Sequence, residues 1–307
     1  MERIAQTIIP VFLVILLGWV LARRGVLPQS VAGPLNRMVF TVAIPAMIFL
    51  KVSRAPFGGA QLPMLVACTL AAVVAGAAAA FALVRAMKVR GARRGTFCQA
   101  SFHGNLGYVG LAVAFYYMGD AGLTRASILA AFLMLLQNLL SVGILEGFSG
   151  VRKRGGRFAF FAKKIAANPV IIGVVLGVGF GLSGPDLPVI AERTLDIVAS
   201  MALPLALLVI GASLDFSLIR EHLAPVLVAG AVKMVLVPGL GLLLYTLAGL
   251  PPTEYLPGLI LLAAPTATIT YVMSRELGGS PQMASAAVSV NTLLSALTYT
   301  AWLSLLS

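Results

Sequence analysis

The chain has 307 residues, 60% of them hydrophobic and only 10% charged, and its mean hydropathy is +1.00. Soluble domains are about 45–50% apolar and about 25% charged, so this composition excludes a soluble globular protein and makes lipid the solvent for most side chains. The net charge of +12 does not point to nucleic acid, because the basic residues stand in short clusters between apolar runs, where membrane orientation explains them.

Ten apolar runs succeed one another, at residues 4–22, 35–50, 62–84, 97–117, 124–148, 168–182, 194–212, 224–250, 256–274 and 281–306. A hydrocarbon core about 30 Å thick needs about 20 apolar residues per helix. The expected fold is therefore an all-α polytopic membrane protein with ten transmembrane helices, short loops and no soluble domain. The first run ends at Arg23 and Arg24 rather than at a small-residue cleavage site, and reads as a retained helix. No Gly-x-x-x-x-Gly-Lys-[Ser/Thr] run occurs, which argues against a built-in ATP motor. Cys68 and Cys98 read as core thiols, and His103 and His222 lie in different segments, so no metal site is expected.

Lys and Arg accumulate on the cytoplasmic side of membrane proteins. Fifteen lie in odd-numbered loops: Arg23, Arg24, Arg85, Lys88, Arg90, Arg93, Arg94, Arg152, Lys153, Arg154, Arg157, Lys163, Lys164, Arg220 and Arg275. Only Arg3, Lys51, Arg54, Arg125 and Arg193 fall on the other side, which puts both termini away from the cytoplasm. The segment from Arg152 to Lys164 reads as an inside anchor that touches anionic lipid.

An internal repeat is visible. Leu27-Pro28 leading to Ala43-Ile44-Pro45 resembles Leu187-Pro188 leading, one residue shorter, to Ala202-Leu203-Pro204. Two five-helix units, 1–150 and 151–307, must then enter the membrane from opposite sides, and inverted repeats of this kind place a substrate site near the midplane.

The fourth run contains His103-Gly104-Asn105-Leu106-Gly107-Tyr108-Val109-Gly110, in which three glycines weaken a helix and Asn105 is a favourable cap for a restarted half. The ninth holds Ala264-Pro265-Thr266-Ala267-Thr268, where Pro265 removes a backbone donor and Thr266 or Thr268 caps the half-helix beyond it. Backbone groups freed inside a membrane must line a cavity or pair with each other. The positive ends of restarted half-helices favour an anion such as a carboxylate. Simple kinking is the bland alternative for either run taken alone.

Lys233 lies near the centre of the eighth run, where a lysine costs about 2.5–3.5 kcal/mol even on the lower scales. It either attracts an anionic substrate, occupies the place of a coupling cation, or is structurally paired. His103 is a proton-exchange candidate or a packing histidine. Gln137, Asn138 and Asn291 lie beyond the two breaks and serve interhelical hydrogen bonds, substrate or Na⁺, while Glu146 reads as an interfacial charge.

With these residues in view, the whole chain resembles the auxin efflux carrier family, which includes the plant PIN-FORMED proteins and bacterial carriers of small carboxylates. The likeness rests on Gly104-Asn105-Leu106-Gly107-Tyr108-Val109-Gly110 and on Ala264-Pro265-Thr266-Ala267-Thr268 running into Glu276-Leu277-Gly278-Gly279. It implies that helices four and nine cross near the substrate, with Asn105 and Pro265 in contact with it. It also implies a scaffold of helices 1, 2, 6 and 7, a mobile unit of helices 3–5 and 8–10 that moves as an elevator, a homodimer, and a bacterial inner (cell) membrane as location. Ala112 stands where many relatives have proline.

The expected function is a secondary transporter for a small organic anion, a carboxylate or an auxin-like acid, working by alternating access. Asn105, Gly107, Tyr108, Pro265, Thr266, Thr268, Lys233 and Asn291 are the expected substrate contacts; His103, Gln137, Asn138 and Lys233 are the coupling candidates, with H⁺ or Na⁺ as the ion and no other cofactor. An ion or solute channel, and less well an intramembrane enzyme, are the alternatives.

Overall fold

The computed structural model describes residues 1–55, 61–149, 167–184, 186–217 and 219–306. Arg152, Lys153, Arg154, Arg157, Lys163 and Lys164, which weigh in the charge argument, lie outside the described residues. Regular structure among the described residues is helical, with one isolated antiparallel bridge between Gly104 and Thr266.

Helix α1 is Glu2–Arg23. Helices α2 (Gln29–Met38) and α3 (Ile44–Ser53) form one continuous rod through a π-turn at Val39–Ala43, so this segment begins six residues before the apolar run that signals it. Helix α4 is Leu62–Ala86 and α5 is Arg93–Phe102. After an interruption, a π-turn at Leu106–Gly110 leads into α6, Leu111–Phe148. This last element turns at Gly119, whose φ of 70° and ψ of −159° lie where a side chain would be strained.

The second half holds α7 (Pro169–Ser183), α8 (Val189–Ser200), α9 (Ala202–Ala212) and α10 (Ile219–Ala231). A π-turn at Val232–Leu236 joins α10 to α11 (Val237–Leu247). The chain ends with α12 (Pro252–Leu262), α13 (Ile269–Glu276) and α14 (Pro281–Leu305). Six helical segments among the described residues are long and apolar enough to cross a membrane: Glu2–Arg23, Gln29–Ser53, Leu62–Ala86, Leu106–Phe148, Val189–Ala212 and Ile219–Leu247.

The surface is that of a protein solvated by lipid. Ile9, Leu13, Leu16 and Leu17 of α1 and Ile190 and Ile197 of α8 are exposed, whereas polar Ser289, Asn291, Thr292 and Ser295 of α14 are buried. Lipid tails are as apolar as these side chains, so helices associate through close packing of small residues rather than hydrophobic expulsion from water. Gly211 of α9 packs on the Ile15 carbonyl of α1, and Gly18 of α1 packs on the Leu208 carbonyl of α9. On the other side, Gly173 and Gly177 of α7 pack on Pro45 and Val52 of α3. Both pairs of helices run closely alongside each other.

Candidate anion site at two interrupted helices

Helix α5 stops at Phe102 because Gly104 and Gly107 offer no helical stabilisation, and α12 stops at Leu262 because Pro265 lacks an N–H. The two interruptions lie side by side. The Asn105 N–H donates to the Pro265 carbonyl at 2.7 Å, and the Ala267 N–H donates to the His103 carbonyl at 2.9 Å. Extended backbone at both breaks thus pairs across the gap, as buried peptide groups must where water is excluded. Residues 95–114 and 257–267 are all buried.

Several other groups at the breaks find side-chain partners. Gln137 accepts from the Gly104 N–H at 3.2 Å, and the Thr266 hydroxyl donates to the Ala100 carbonyl at 2.9 Å. The Asn291 amide donates to the Thr266 hydroxyl at 2.8 Å. At the end of α12, the Tyr299 hydroxyl donates to the Ile260 carbonyl at 3.1 Å. Lys233 donates to the Leu262 carbonyl at 2.5 Å.

Lys233 is fully buried, and the π-turn that holds it turns its ammonium toward Gly104: a Cβ there would stand 2.9 Å from Lys233 Cε. The ion pairs among the described residues are Lys51 with Asp120, Arg54 with Glu192, and Arg125 with Glu254, so Lys233 has no carboxylate partner there. Asn105, next to Gly104 in the chain, has its Nδ2, and Asn291, whose amide lies against Gly230, has its Oδ1, buried without a hydrogen-bond partner among the described residues. A lysine without a carboxylate partner, held only by a backbone carbonyl, and an amide donor without a partner suit a carboxylate, which accepts from both.

The capping expectations need correction. Asn105 does stand at the start of the restarted segment, and its carbonyl accepts from Val109 and Gly110, but its side chain makes no capping hydrogen bond. Thr268 precedes α13 and does not cap it either, while Thr266 turns its hydroxyl back to α5. In both places the opposing strand, not a cap, satisfies the break. Asn138 donates to the Met134 carbonyl one turn earlier on its own helix, apart from Gln137's bond to the break. Gly107 packs near Met134, and the Tyr108 hydroxyl donates to Asn36 Oδ1 of α2 at 2.6 Å. His103 Nδ1 lies 2.9 Å from the Ser141 hydroxyl.

Sequence reasoning missed Ser141 and Asn36. Ser141 was within its reach, since it lies one turn beyond Gln137 on the same helical face. Asn36 gave no such signal. Cavities of about 420 Å³ and 410 Å³ lie elsewhere, the first lined by Arg85, Lys88, Arg90 and Arg94, the second by Pro45, Phe49, Ile172 and Leu176.

The chain matches the family profile described as "Membrane transport protein" over residues 3–147 and 158–303. It belongs to the auxin efflux carrier family of membrane transporters. Within that family, it is 28% identical to a protein of Rhizobium meliloti named "Putative malonate transporter", with all of this chain and 97% of the relative aligned. An "Uncharacterized transporter" of Methanothermobacter thermautotrophicus is 25% identical over 97% of this chain and 96% of its own length. Another, from Methanocaldococcus jannaschii, is 24% identical over 97% of both. The chain is thus a multi-pass membrane transporter.

Proposed function

We propose that this family member is a secondary carrier for a small organic anion, with malonate-like dicarboxylates the leading candidates. The observation that supports this most is Lys233, a buried ammonium with no carboxylate partner among the described residues, set against the paired breaks at Asn105 and Pro265. One substrate carboxylate accepts from Lys233 and Asn105, and the Asn291 carbonyl receives a donor from the substrate or a carried water. Pro265 and Thr266 fix the opposing backbone, and Gly107 allows close approach. Tyr108 and Thr268 stand at the margin of the site. His103 and Gln137 hold the first break in place and are the groups through which H⁺ coupling would act, and Na⁺ is the alternative coupling ion. The Rhizobium relative's name agrees with a dicarboxylate.

In this reading the chain spans the membrane ten times, as inverted units 1–150 and 151–307 with both termini outside the cytoplasm of a bacterial inner membrane. The two glycine-packed contacts support it. Helix α1 against α9 and α7 against α3 are the same contact with the two units exchanged, if the first and sixth spans correspond and the second and seventh do. Those four spans form the scaffold, the others move past it, and two chains associate through their scaffolds. Because residues 95–114 and 257–267 are buried, a solute reaches the paired breaks only when the two groups of helices shift, which favours alternating access over a pore.

Counterflow in proteoliposomes tests the reading. Labelled malonate should accumulate transiently against unlabelled internal malonate, with saturable uptake. Single-channel currents would establish the channel alternative instead, and malonate-independent turnover of a substrate would point to an enzyme.

A further inference from the structure

A second feature, apart from the crossing, lies where α4 ends and α5 begins. Helix α4 has 25 residues. At 1.5 Å per residue it spans roughly 37 Å, longer than the hydrocarbon core, so its last turn reaches the headgroup layer. There a cavity of about 420 Å³ is lined by Val84, Arg85, Lys88, Arg90, Arg94 and Phe148. All four of its charged lining residues are cations, and none of them pairs with a carboxylate among the described residues.

Two of these cationic groups are held in place. The Arg85 guanidinium lies 4.2 Å over the Phe81 ring, which itself packs 5.5 Å from Phe148. The Arg94 Nε donates to the Val89 carbonyl at 2.8 Å, across a tight turn in which Lys88 takes a φ of 53° and Gly91 one of 60°. Ordinary interfacial cations spread into water to separate like charges. Here the turn draws four of them around one mouth, above an apolar floor of Val84 and Phe148.

We propose that this cleft binds the phosphodiester headgroup of an anionic phospholipid, such as phosphatidylglycerol. Arg85 and Arg94 grip the phosphate oxygens, for which the planar guanidinium fork is suited. Lys88 and Arg90 add charge at the rim. The glycerol and the first acyl carbons lie over Val84, Phe81 and Phe148, at the depth where a lipid in the adjacent leaflet presents them. The cavity is of the size that holds a small organic group rather than a single bare ion. This site is separate from the anion site at the helix breaks and does not depend on the transport reading.

The test is native mass spectrometry of the full-length protein in detergent, titrated with phosphatidylglycerol, with phosphatidylcholine and with glycerol 1-phosphate. The wild type should retain phosphatidylglycerol adducts that phosphatidylcholine does not form and that millimolar glycerol 1-phosphate does not displace. The Arg85→Gln/Arg94→Gln double variant should weaken phosphatidylglycerol binding by about 30-fold, on the scale of charge attraction at a lipid surface. The exposed Arg193→Gln variant should bind as the wild type does. Should the double variant fail to fold, Lys88→Gln/Arg90→Gln, confined to exposed side chains, replaces it with a smaller loss expected. Equal adducts with phosphatidylcholine, unchanged binding in the arginine variants, or full displacement by glycerol 1-phosphate would each overturn the proposal, the last by assigning the site to a soluble phosphate.

Discussion

The backbone N–H of Asn105 and the carbonyl of Pro265 form a hydrogen bond of 2.7 Å that joins two interrupted helices in the buried interior. Since both backbones are already paired there, the Asn105 side chain is released from structural duty, and its Nδ2 stays without a partner among the described residues. Asn105→Ala should therefore leave folding nearly intact and weaken anion binding by about 10–100-fold, the range for a hydrogen bond to a charged group. Thermal midpoint and malonate affinity, measured on the same purified sample, check this. Parallel losses in both would make Asn105 a structural residue.

Lys233 separates charge from packing more sharply. Lys233→Met removes a desolvated charge but leaves the buried Leu262 carbonyl without its donor, a loss of about 1–3 kcal/mol. It should therefore lower the thermal midpoint only modestly while abolishing saturable malonate uptake. Lys233→Arg, whose fork does not fit between Gly104 and the Leu262 carbonyl, should lose uptake as well. Retained uptake in Lys233→Met would remove the lysine from the site.

Much of this was legible in the sequence, and the reason differs from residue to residue. Composition and run length announce a polytopic helical chain because a lipid solvent leaves few alternatives. The breaks at Gly104-Asn105 and at Pro265 were legible because glycine and proline act locally on the backbone. The cap assignments to Asn105, Thr266 and Thr268 went wrong for the complementary reason: each break is satisfied by the other, a partner more than 150 positions away that local pattern does not encode. The early start of α2 at Gln29 was hidden because that end of the helix is polar, whereas the turn at Gly119, beside Asp120, falls in the gap between the apolar runs at 97–117 and 124–148. Asn36, the partner of Tyr108, sits in the same polar stretch.

Helix packing makes a prediction that is independent of transport. A Cβ at Gly211 would overlap the Ile15 backbone carbonyl, whereas a Cβ at Gly179 meets nothing within 4 Å. Gly211→Ala should cost about 1–3 kcal/mol or more through forced separation of α1 and α9. Gly179→Ala, on an exposed helical face, should be neutral or slightly stabilising. Equal midpoints for the two variants would contradict the close α1–α9 contact.

Tyr108 links the restarted segment to α2 through its bond to Asn36 Oδ1. If one unit slides past the other, this bond forms in one end state only, and its loss shifts the balance between states by about 1 kcal/mol, roughly 5-fold. Tyr108→Phe should change the counterflow rate by about that factor and leave malonate affinity within about 2-fold. A rate equal to the wild type would show that the bond does not break during turnover.

Isothermal titration of malonate into purified wild-type protein and the Lys233→Met variant tests the anion site most directly, because it reads binding without flux, coupling or orientation. The wild type should bind one malonate per chain, and the well-folded variant should show no binding at the same concentrations. Equal affinities in the two proteins would contradict the assignment of a carboxylate to the helix breaks.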